Sequence, residues 1–370
     1  MIDMIISDPF TIFKDPDLYA TFPSFAMTET GLLMSFRVAS VESFGEGRYE
    51  GRQQHLHPRS FLALTDLRPE LCASDFRLFD PDVFAADQDP NLTRLSNGQL
   101  LMTSFSWRPV YGDEPAELAG KSFFEKTSGN RSMFWGSFAA LSETDGREWS
   151  NRQYLPALPD YPDILPGRRK WLGGRQRGQA LELEKGRVLV ASYDLSPHRG
   201  TFCSYLHVSD DFGQSWRYGC QIAGDDEGKV GYAEPTLVRL DDGTVLALHR
   251  TFGADDRLAV AKSADAGRTW SDPELLEVRG HPYHAVPLPG GPIVILYAVR
   301  KKPGRICARL LDPHSGQLAG KEIFLREGGT AWDIGYPTGI ALTGNSFLVA
   351  YYWVDSDGTR YIEGLLVGTA

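Results

Sequence analysis

Six segments of the chain repeat one arrangement of apolar and polar positions. Each has a short alternating stretch, a turn built around Gly or Asn, and a second, more continuously apolar stretch. Alternation with a period of two places successive side chains on opposite faces of a strand, so each segment predicts a β-hairpin. The segments are residues 22–37, 89–105, 177–193, 234–250, 283–300 and 336–352.

The spacing of the six turns predicts how the hairpins assemble. The turns are 67, 88, 57, 48 and 54 positions apart, measured between Gly31, Gly98, Gly186, Gly243, Gly291 and Asn345. Periods of about 40–50 residues are typical of propeller blades. We therefore expect an all-β fold in one domain, residues 1–370: a six-bladed β-propeller of four-stranded antiparallel blades, with each hairpin forming the inner part of a blade. The long early intervals predict insertions at 106–135 and 154–175, the second an ordered loop able to rim a cleft.

A shorter repeat lies outside these hairpins. Ser209–Trp216 and Ser263–Trp270 share the pattern Ser-x-Asp-x-Gly-x-Ser/Thr-Trp, and Ser142–Trp149 keeps its Ser, Gly and Trp with Thr144 at the Asp position. Asp and Ser side chains hydrogen-bond the backbone of tight turns, and Gly supplies positive φ. The octets resemble the Asp-box turn of propellers in the sialidase superfamily. We interpret them as structural residues that take no part in chemistry.

Composition and net charge narrow the classes of partner that the chain is expected to bind. The chain is 42% hydrophobic and has 38 Gly and 23 Pro, as many short strands and turns require, and its net charge of −10 disfavours nucleic acid. Its four cysteines have no CxxC spacing, which predicts reduced thiols rather than a metal or redox site. The N-terminus lacks the basic and apolar regions of a signal peptide, and no window approaches a membrane span, so we expect a cytoplasmic protein.

The first strands of the hairpins predict an active site. In a propeller the innermost strands begin at one mouth of the central channel, here called the funnel, so residues at the start of each segment converge there. In chain order these are Thr21, Asp89, Arg177, Glu234, Tyr283 with His281 nearby, and Tyr336 with Asp333 nearby. Three carboxylates and a tyrosine in one funnel favour acid–base and nucleophilic chemistry.

Two of these segments also resemble the sialidase superfamily at the level of single residues. The stretch Ala233–Arg250 resembles the sialidase segment with a Glu before the strand and an Arg after it, and Gly335-Tyr-Pro-Thr-Gly resembles the segment that carries the nucleophilic tyrosine. The resemblance implies that Glu234 activates Tyr336, and that Arg250 binds a sugar carboxylate. It implies the same carboxylate-binding role for Arg305.

The chain departs from that family at two places. Sialidases open the first blade with Arg-Ile-Pro, where this chain has Thr21-Phe22-Pro23, so the first arginine of their triad is absent. The loop that holds their acidic Asp contains no Asp here. It offers instead Glu46, Arg48, Glu50, Arg52, His55 and His57.

Other basic residues lie at positions suited to a ligand. Arg37, Arg250 and Arg300 end equivalent strands, which suits either inward guanidinium groups around an anion or ion pairs between blades. His55 and His57 share one face if they lie on a strand, where they suit acid–base work, a metal, or simple hydrogen bonding. His281 has the same alternatives.

These observations lead to one principal hypothesis and two alternatives. The principal one is an exo-acting glycoside hydrolase that removes a terminal, acidic sugar. It needs no metal or cofactor. Glu234, Tyr336, Asp89 and Asp333 are its catalytic candidates, with the 46–57 loop as another source of the acid. Its substrate-binding candidates are Arg37, Arg250, Arg305, His55, His57 and His281. The alternatives are a polysaccharide lyase acting on uronic-acid linkages, with His55, His57 or Tyr336 as base, and a non-catalytic carbohydrate-binding propeller.

Overall fold

Six antiparallel sheets surround a central axis in the computed structural model. The structure describes residues 4–41, 59–82, 85–110, 131–165, 167, 169–184, 186–342 and 346–369. The sheets are the blades of a β-propeller, which confirms the predicted fold. Within those ranges there is no helix, and hence none long and apolar enough to cross a membrane.

Every blade is built from short antiparallel strands that lie side by side, in order from the axis outward. Before blade one lie β1 (Met4–Ile6) and β2 (Phe10–Phe13). Blade one contains β3 (Leu18–Met27), β4 (Leu32–Ser40), β5 (Ser60–Asp66) and β6 (Arg77–Phe79). Blade two contains β7 (Ala86–Asp87), β8 (Asn91–Arg94), β9 (Leu100–Val110), β10 (Arg131–Ser142) and β11 (Gln153–Tyr154). Blade three contains β12 (Arg175–Gln176), β13 (Leu181–Glu182), β14 (Val188–Leu195), β15 (Phe202–Ser209) and β16 (Arg217–Ala223).

The second half of the chain repeats the pattern. Blade four contains β17 (Gly231–Arg239), β18 (Val245–Phe252), β19 (Arg257–Ser263) and β20 (Glu274–Arg279). Blade five contains β21 (His284–Pro287), β22 (Ile293–Val299), β23 (Gly304–Leu311) and β24 (Leu318–Gly329). Blade six contains β25 (Gly335–Ala341), β26 (Ser346–Val354) and β27 (Arg360–Thr369).

The ring is closed by the N-terminal strands. Both β1 and β2 pair antiparallel with β27, with Met4 opposite Thr369 and Phe10 opposite Gly364. The first residues of the chain therefore supply the outermost strand of the last blade. The sequence patterns above did not predict this closure, because a strand of three residues has no detectable period.

The first strand of a blade loses its regular pairing at one level around the ring. Blades one, four and six have a register shift there, at Phe22, Glu234 and Tyr336. Each of these three residues precedes a proline and has positive φ, at 55°, 48° and 49°. In blades two and three the strand is interrupted instead, at Asp89 between β7 and β8 and at Arg177 between β12 and β13.

A belt of six polar side chains, one from each blade, lies at the next level of the ring, and in the five blades just described it follows the break by two residues. The belt consists of Ser24, Asn91, Gln179, Thr236, His284 and Thr338. Gln179 Nε2 donates to the carbonyl oxygens of Phe25 and Leu92, at 2.9 and 2.7 Å. Thr236 Oγ1 donates to the carbonyl of Tyr283 at 2.7 Å. Because these bonds join different blades, the belt ties the ring together next to the breaks.

The three octets form turns between the third and fourth strands of blades two, three and four. In the turn of blade three, Asp211 Oδ1 accepts from the backbone nitrogen of Ser215 at 2.8 Å, and Ser209 Oγ accepts from that of Gly213 at 2.8 Å. In blade two, Thr144 Oγ1 accepts a backbone bond from Glu148 at 2.8 Å. A hydroxyl thus performs the acceptor role of the missing Asp, and the side chains of all three turns serve the backbone.

The insertion at 154–175 is ordered where the structure describes it and packs on blades two and three. Its Trp171 stacks on Phe134 with ring centroids 5.2 Å apart, and the hydroxyl of Tyr161 lies 3.0 Å from that of Tyr205. At the other predicted insertion, 106–135, the described ends extend β9 and β10. The four cysteines are free, as predicted.

Candidate functional site

The residues at the strand breaks meet around one short hydrogen bond. Tyr336 Oη donates to Glu234 Oε1 at 2.5 Å, between blades six and four. Both residues adopt the left-handed conformation that few non-glycine residues accept, and the proline that follows each further restricts it. Residues held in this way are concentrated at functional sites, where the surrounding fold supports the strain.

Glu234 has a second partner in Arg250. The Nη1 group of Arg250 donates to Glu234 Oε2 at 3.0 Å, from the strand position opposite Ala233. Burial opposes ionisation of the carboxyl group, but the charge of Arg250, the Tyr336 hydroxyl and the more distant Arg300 outweigh it, so the pKa of Glu234 is lowered. Glu234 is therefore ionised at neutral pH and able to accept a proton.

Tyr336 is protonated in the same conditions. Burial and the negative charge of Glu234 raise its pKa well above the ordinary value, while Arg300 and Arg250 act in the opposite direction. Two guanidinium groups lie against its ring, with Cζ of Arg177 5.1 Å and Cζ of Arg300 4.9 Å from the centroid. The phenol thus has a base within reach and cations on its ring.

Asp89 is the second buried carboxyl group of the site. It is 7% exposed, and among the described residues it makes no direct ion pair. Burial raises its pKa to about 7, the positive charges of Arg177 and Arg37 oppose this, and the negative charge of Glu234 adds to it. Asp89 can therefore hold a proton near neutral pH while Glu234 does not.

The predicted anion-binding residues Arg37 and Arg250 both line this region. They occupy equivalent positions, opposite Thr21 and Ala233 in their blades. Arg37 is fully buried, and its Nε donates to the carbonyl oxygen of Asp87 at 3.3 Å.

Arg305 does not join them. It lies on β23, where its Nε pairs with Glu327 Oε1 at 3.0 Å and its guanidinium lies 4.7 Å from the Phe324 ring. Because these partners belong to the outer strand of blade five, the side chain lies away from the Glu234–Tyr336 pair. The prediction for Arg305 is therefore corrected, and in this blade Arg300 contacts Tyr336 instead.

Asp333 is held by three donors. Tyr19 Oη donates to Oδ2, Tyr352 Oη donates to Oδ1 at 2.9 Å, and Arg360 Nε donates to Oδ2 at 3.1 Å. The carboxylate is 2% exposed. These contacts make Asp333 an anchor for two tyrosines, and they do not support the predicted catalytic role.

His281 lies beside the arginines. It is nearly buried, and burial together with the charges of Arg250 and Arg300 lowers its pKa well below the ordinary value, so the ring is neutral. The predicted site residues His55 and His57 lie outside the described residues, as does the rest of the 46–57 loop.

Sequence reasoning placed two funnel positions one residue away. Phe22, not Thr21, occupies the position of Glu234 and Tyr336, and its ring lies 4.7 Å from that of Tyr336. In blade five the equivalent residue is Pro282 rather than Tyr283. The hydrogen bond that closes the hairpin turn begins at Leu288, and counting back from it by the same number of residues as in the other blades reaches Pro282. Blade one shares with blades four and six a proline directly after this residue, and that pair was the signal in the sequence that could have fixed the register in blade one.

Three other neighbours were not among the predicted catalytic or substrate-binding residues, although Arg177 was among the predicted funnel positions. Tyr352 stacks on Tyr336 with centroids 5.9 Å apart, Arg177 bonds its backbone, and the pKa of Tyr193 is raised by burial and then by the charge of Glu234. Tyr352 occupies the strand position in blade six that Arg37 and Arg250 occupy in theirs.

Comparison with known proteins places this arrangement in a family. The chain matches the BNR repeat-like domain over residues 122–348. A protein of unknown function from Dyadobacter fermentans is 28% identical, with a TM-score of 0.88 over 99% of both chains. The Hadza microbial sialidase Hz136 is 14% identical, with a TM-score of 0.65 over 94% of this chain and 65% of its own length. A mutant of NanB sialidase from Streptococcus pneumoniae is 14% identical, with a TM-score of 0.65 over 98% of this chain and 71% of its own.

The likeness to the two sialidases, at 14% identity, is a likeness of fold. The BNR repeat-like match covers more than half of the chain, and the Asp-box turns and the six blades agree with it. The chain therefore belongs to the BNR repeat-like domain family and has the fold of a six-bladed β-propeller.

Proposed function

We propose that the protein is an exo-acting, sialidase-like glycoside hydrolase that removes a terminal acidic sugar, with Tyr336 as nucleophile and Glu234 as its base. The observation that carries the proposal is the 2.5 Å hydrogen bond from Tyr336 Oη to Glu234 Oε1 among buried arginines. The likeness of fold to proteins described as sialidases supports it.

The chemistry follows from the charges of the pair. A phenol is a weak nucleophile at neutral pH, but an ionised carboxylate in hydrogen-bond contact can take its proton as it attacks. A neutral phenol also avoids the repulsion that a carboxylate nucleophile would meet at an anionic sugar, and sialidases use tyrosine where most retaining glycosidases use Asp or Glu.

The reaction then takes two steps. Tyr336 Oη bonds to the anomeric carbon, Glu234 takes the phenolic proton, and the bond to the leaving group breaks as its oxygen receives a proton from Asp89. In the second step water attacks the anomeric carbon and gives a proton to Asp89. The carbon–tyrosine bond breaks, and the phenolate recovers its proton from Glu234. Both carboxyl groups end in their starting states.

Asp89 suits the acid role by its environment. Burial and the nearby charge of Glu234 keep a fraction of it protonated near neutral pH, since its pKa is raised to about 7. A general acid is most effective when its pKa lies close to the working pH.

The arginines support an acidic substrate. Arg250 bonds Glu234, Arg300 lies against the Tyr336 ring, and the charge of Arg37 acts on Asp89. Guanidinium groups bind carboxylates with charge-assisted hydrogen bonds. With Thr21 at the position of the first sialidase arginine, the carboxylate meets a different set of donors. A uronic acid is therefore tested beside a sialic acid.

The test is hydrolysis of a panel of aryl glycosides, including sialosides and uronides, by the wild-type protein and by Glu234→Gln. We expect release from at least one acidic glycoside, lowered more than about a hundredfold by the substitution because the base is lost. Glu274→Gln, at an exposed position on the outer strand of the same blade, makes the same change of charge outside the site and serves as the control. Release only from neutral glycosides would contradict the acidic-sugar proposal. A product with a new ultraviolet-absorbing double bond would identify a lyase, and binding without turnover would identify a carbohydrate-binding propeller.

A further inference from the structure

Arg177 bridges two groups with proposed roles in the reaction. It leaves blade three at the strand break and reaches blade six, where its Nη2 lies 3.3 Å from the carbonyl oxygen of Tyr336 and 3.4 Å from that of Pro337. Its guanidinium also lies 5.1 Å from the centre of the Tyr336 ring. The side chain is buried, at 2% exposure.

These contacts act on a backbone that needs support. Tyr336 has a φ of 49° and is followed by Pro337, a combination that costs free energy and persists only where the surroundings fix it. A donor bonded to the carbonyls on both sides of the Tyr336–Pro337 link restrains this segment. The ring contact restrains the phenol itself.

The second link of Arg177 runs to Asp89. Arg177 is the largest opposing influence on the carboxyl group of Asp89 after burial, ahead of Arg37. The negative charge of Glu234 acts on Asp89 in the opposite sense, and the titratable hydroxyl groups of Tyr336 and Tyr193 also interact with it. Arg177 thus contacts the nucleophile while its charge acts on the acid.

We propose that Arg177 is a positioning residue that holds Tyr336 in its attacking conformation through the two carbonyl groups and places a fixed positive charge beside Asp89. The inference rests on the proposed function, because it takes Tyr336 as the nucleophile. It assigns a role to a residue that the sequence patterns placed in the funnel without giving it one.

Two variants separate the contact of Arg177 with Tyr336 from its charge near Asp89. Arg177→Lys keeps a positive charge but lacks the guanidinium that contacts both the carbonyl groups and the Tyr336 ring, and Arg177→Gln removes the charge as well. Arg326→Lys is the matched control, since Arg326 bonds Glu363 in another part of the ring. Thermal unfolding of all three variants reports whether each is folded.

In both Arg177 variants we expect kcat to fall by about tenfold to a hundredfold, with KM changed by less than about threefold, because a misplaced nucleophile affects the reaction more than binding. The alkaline limb of the pH–rate profile stays in place in Arg177→Lys. It moves to higher pH in Arg177→Gln, since losing the cation raises the pKa of Asp89. Arg326→Lys retains the wild-type kcat and profile.

Crystal structures of wild type and both variants give a readout that does not depend on turnover. We expect Tyr336 to leave the left-handed region or its hydroxyl to separate from Glu234 by more than about 0.5 Å. If the wild type hydrolyses none of the panel, the proposed function fails and these structures still decide the positioning role. A Tyr336 that keeps its φ and its bond to Glu234 in both variants overturns it, as does an unchanged kcat. Should Arg177→Gln not fold, the same comparison is made with Arg177→Lys.

Discussion

Arg300 Nη2 donates a hydrogen bond to the phenolic oxygen of Tyr352, 3.1 Å away, and the hydroxyl of Tyr352 donates one to Asp333 at 2.9 Å. Tyr352 also stacks on Tyr336. A buried carboxylate behind the site therefore fixes, through one tyrosine, both an arginine and the ring of the proposed nucleophile.

Removing the hydroxyl of Tyr352 should loosen Arg300. In Tyr352→Phe the ring stack remains, but the arginine loses its acceptor and Asp333 loses a donor. A hydrogen bond to a charged group contributes about 1.5–3 kcal/mol, so we expect kcat/KM for an acidic glycoside to fall by about tenfold or more. Steady-state kinetics on the acidic member of the panel measures this.

Tyr351→Phe is the matched control for that experiment. Tyr351 is the adjacent residue on β26, equally buried, but its hydroxyl donates to Glu363 at 2.7 Å on the opposite face. It should lower stability and leave kcat/KM unchanged. Equal losses of kcat/KM in the two variants would show that the effect is general destabilisation.

The architecture was predictable because it is repeated, whereas closure and register were not. Six hairpins and three octets supply many independent signals for a propeller. The closing strand β1 has three residues, and Thr21 and Tyr283 were each placed one position from the residue that belongs there. A bulge adds one residue without changing the apolar pattern, so that pattern alone cannot show which residue the bulge contains.

The site divides in the same way. Glu234, Tyr336 and Asp89 were predicted as site residues because they begin repeats, and the structure places them close together. Arg305 was chosen by its place along the chain, and its side chain lies on the outer part of the blade. The repeats placed Arg177 in the funnel, but no local pattern reports its contact with Tyr336, 159 positions away. Nor does one report the stacking of Tyr352 on Tyr336, 16 positions away.

The polar belt should stabilise the protein by joining different blades to one another. Gln179→Ala removes one amide that serves two carbonyl groups of blades one and two. Buried carbonyl groups left without a donor cost about 1–3 kcal/mol, so we expect a loss of that size in the free energy of unfolding. Chemical denaturation measures it. Gln214→Ala, at an exposed turn position, should change stability by less than about 0.5 kcal/mol.

The closing strand can be tested at Ser7. Its backbone nitrogen donates to the carbonyl oxygen of Leu366 at 2.9 Å, and its hydroxyl accepts from the nitrogen of Leu366 at 3.0 Å. Ser7→Ala removes the second bond only, and Ser7→Pro removes both. We expect Tm to fall further for the proline variant, with self-association as the edge of β27 becomes available, since unpaired edges recruit other strands. Thermal unfolding and size-exclusion chromatography measure this, and indistinguishable variants would argue against the closure.

Asp89 should impose a pH dependence on both activity and stability. The proposed acid must be protonated, and its pKa is raised to about 7 by burial foremost, so activity should decline as pH rises through about 7. Asp89→Asn, which cannot donate this proton, should have low activity that does not decline further as pH rises through about 7.

The direction in which stability changes with pH follows from the raised pKa of Asp89. The folded protein binds a proton that the unfolded chain has already lost between the ordinary value of 3.8 and about 7, so the wild type loses stability across that interval. The Tm of Asp89→Asn minus that of wild type should therefore increase from pH 4.5 to pH 8, by a few degrees. A difference that stays constant over this range would mean that Asp89 is ionised throughout, and the acid would then have to be sought elsewhere.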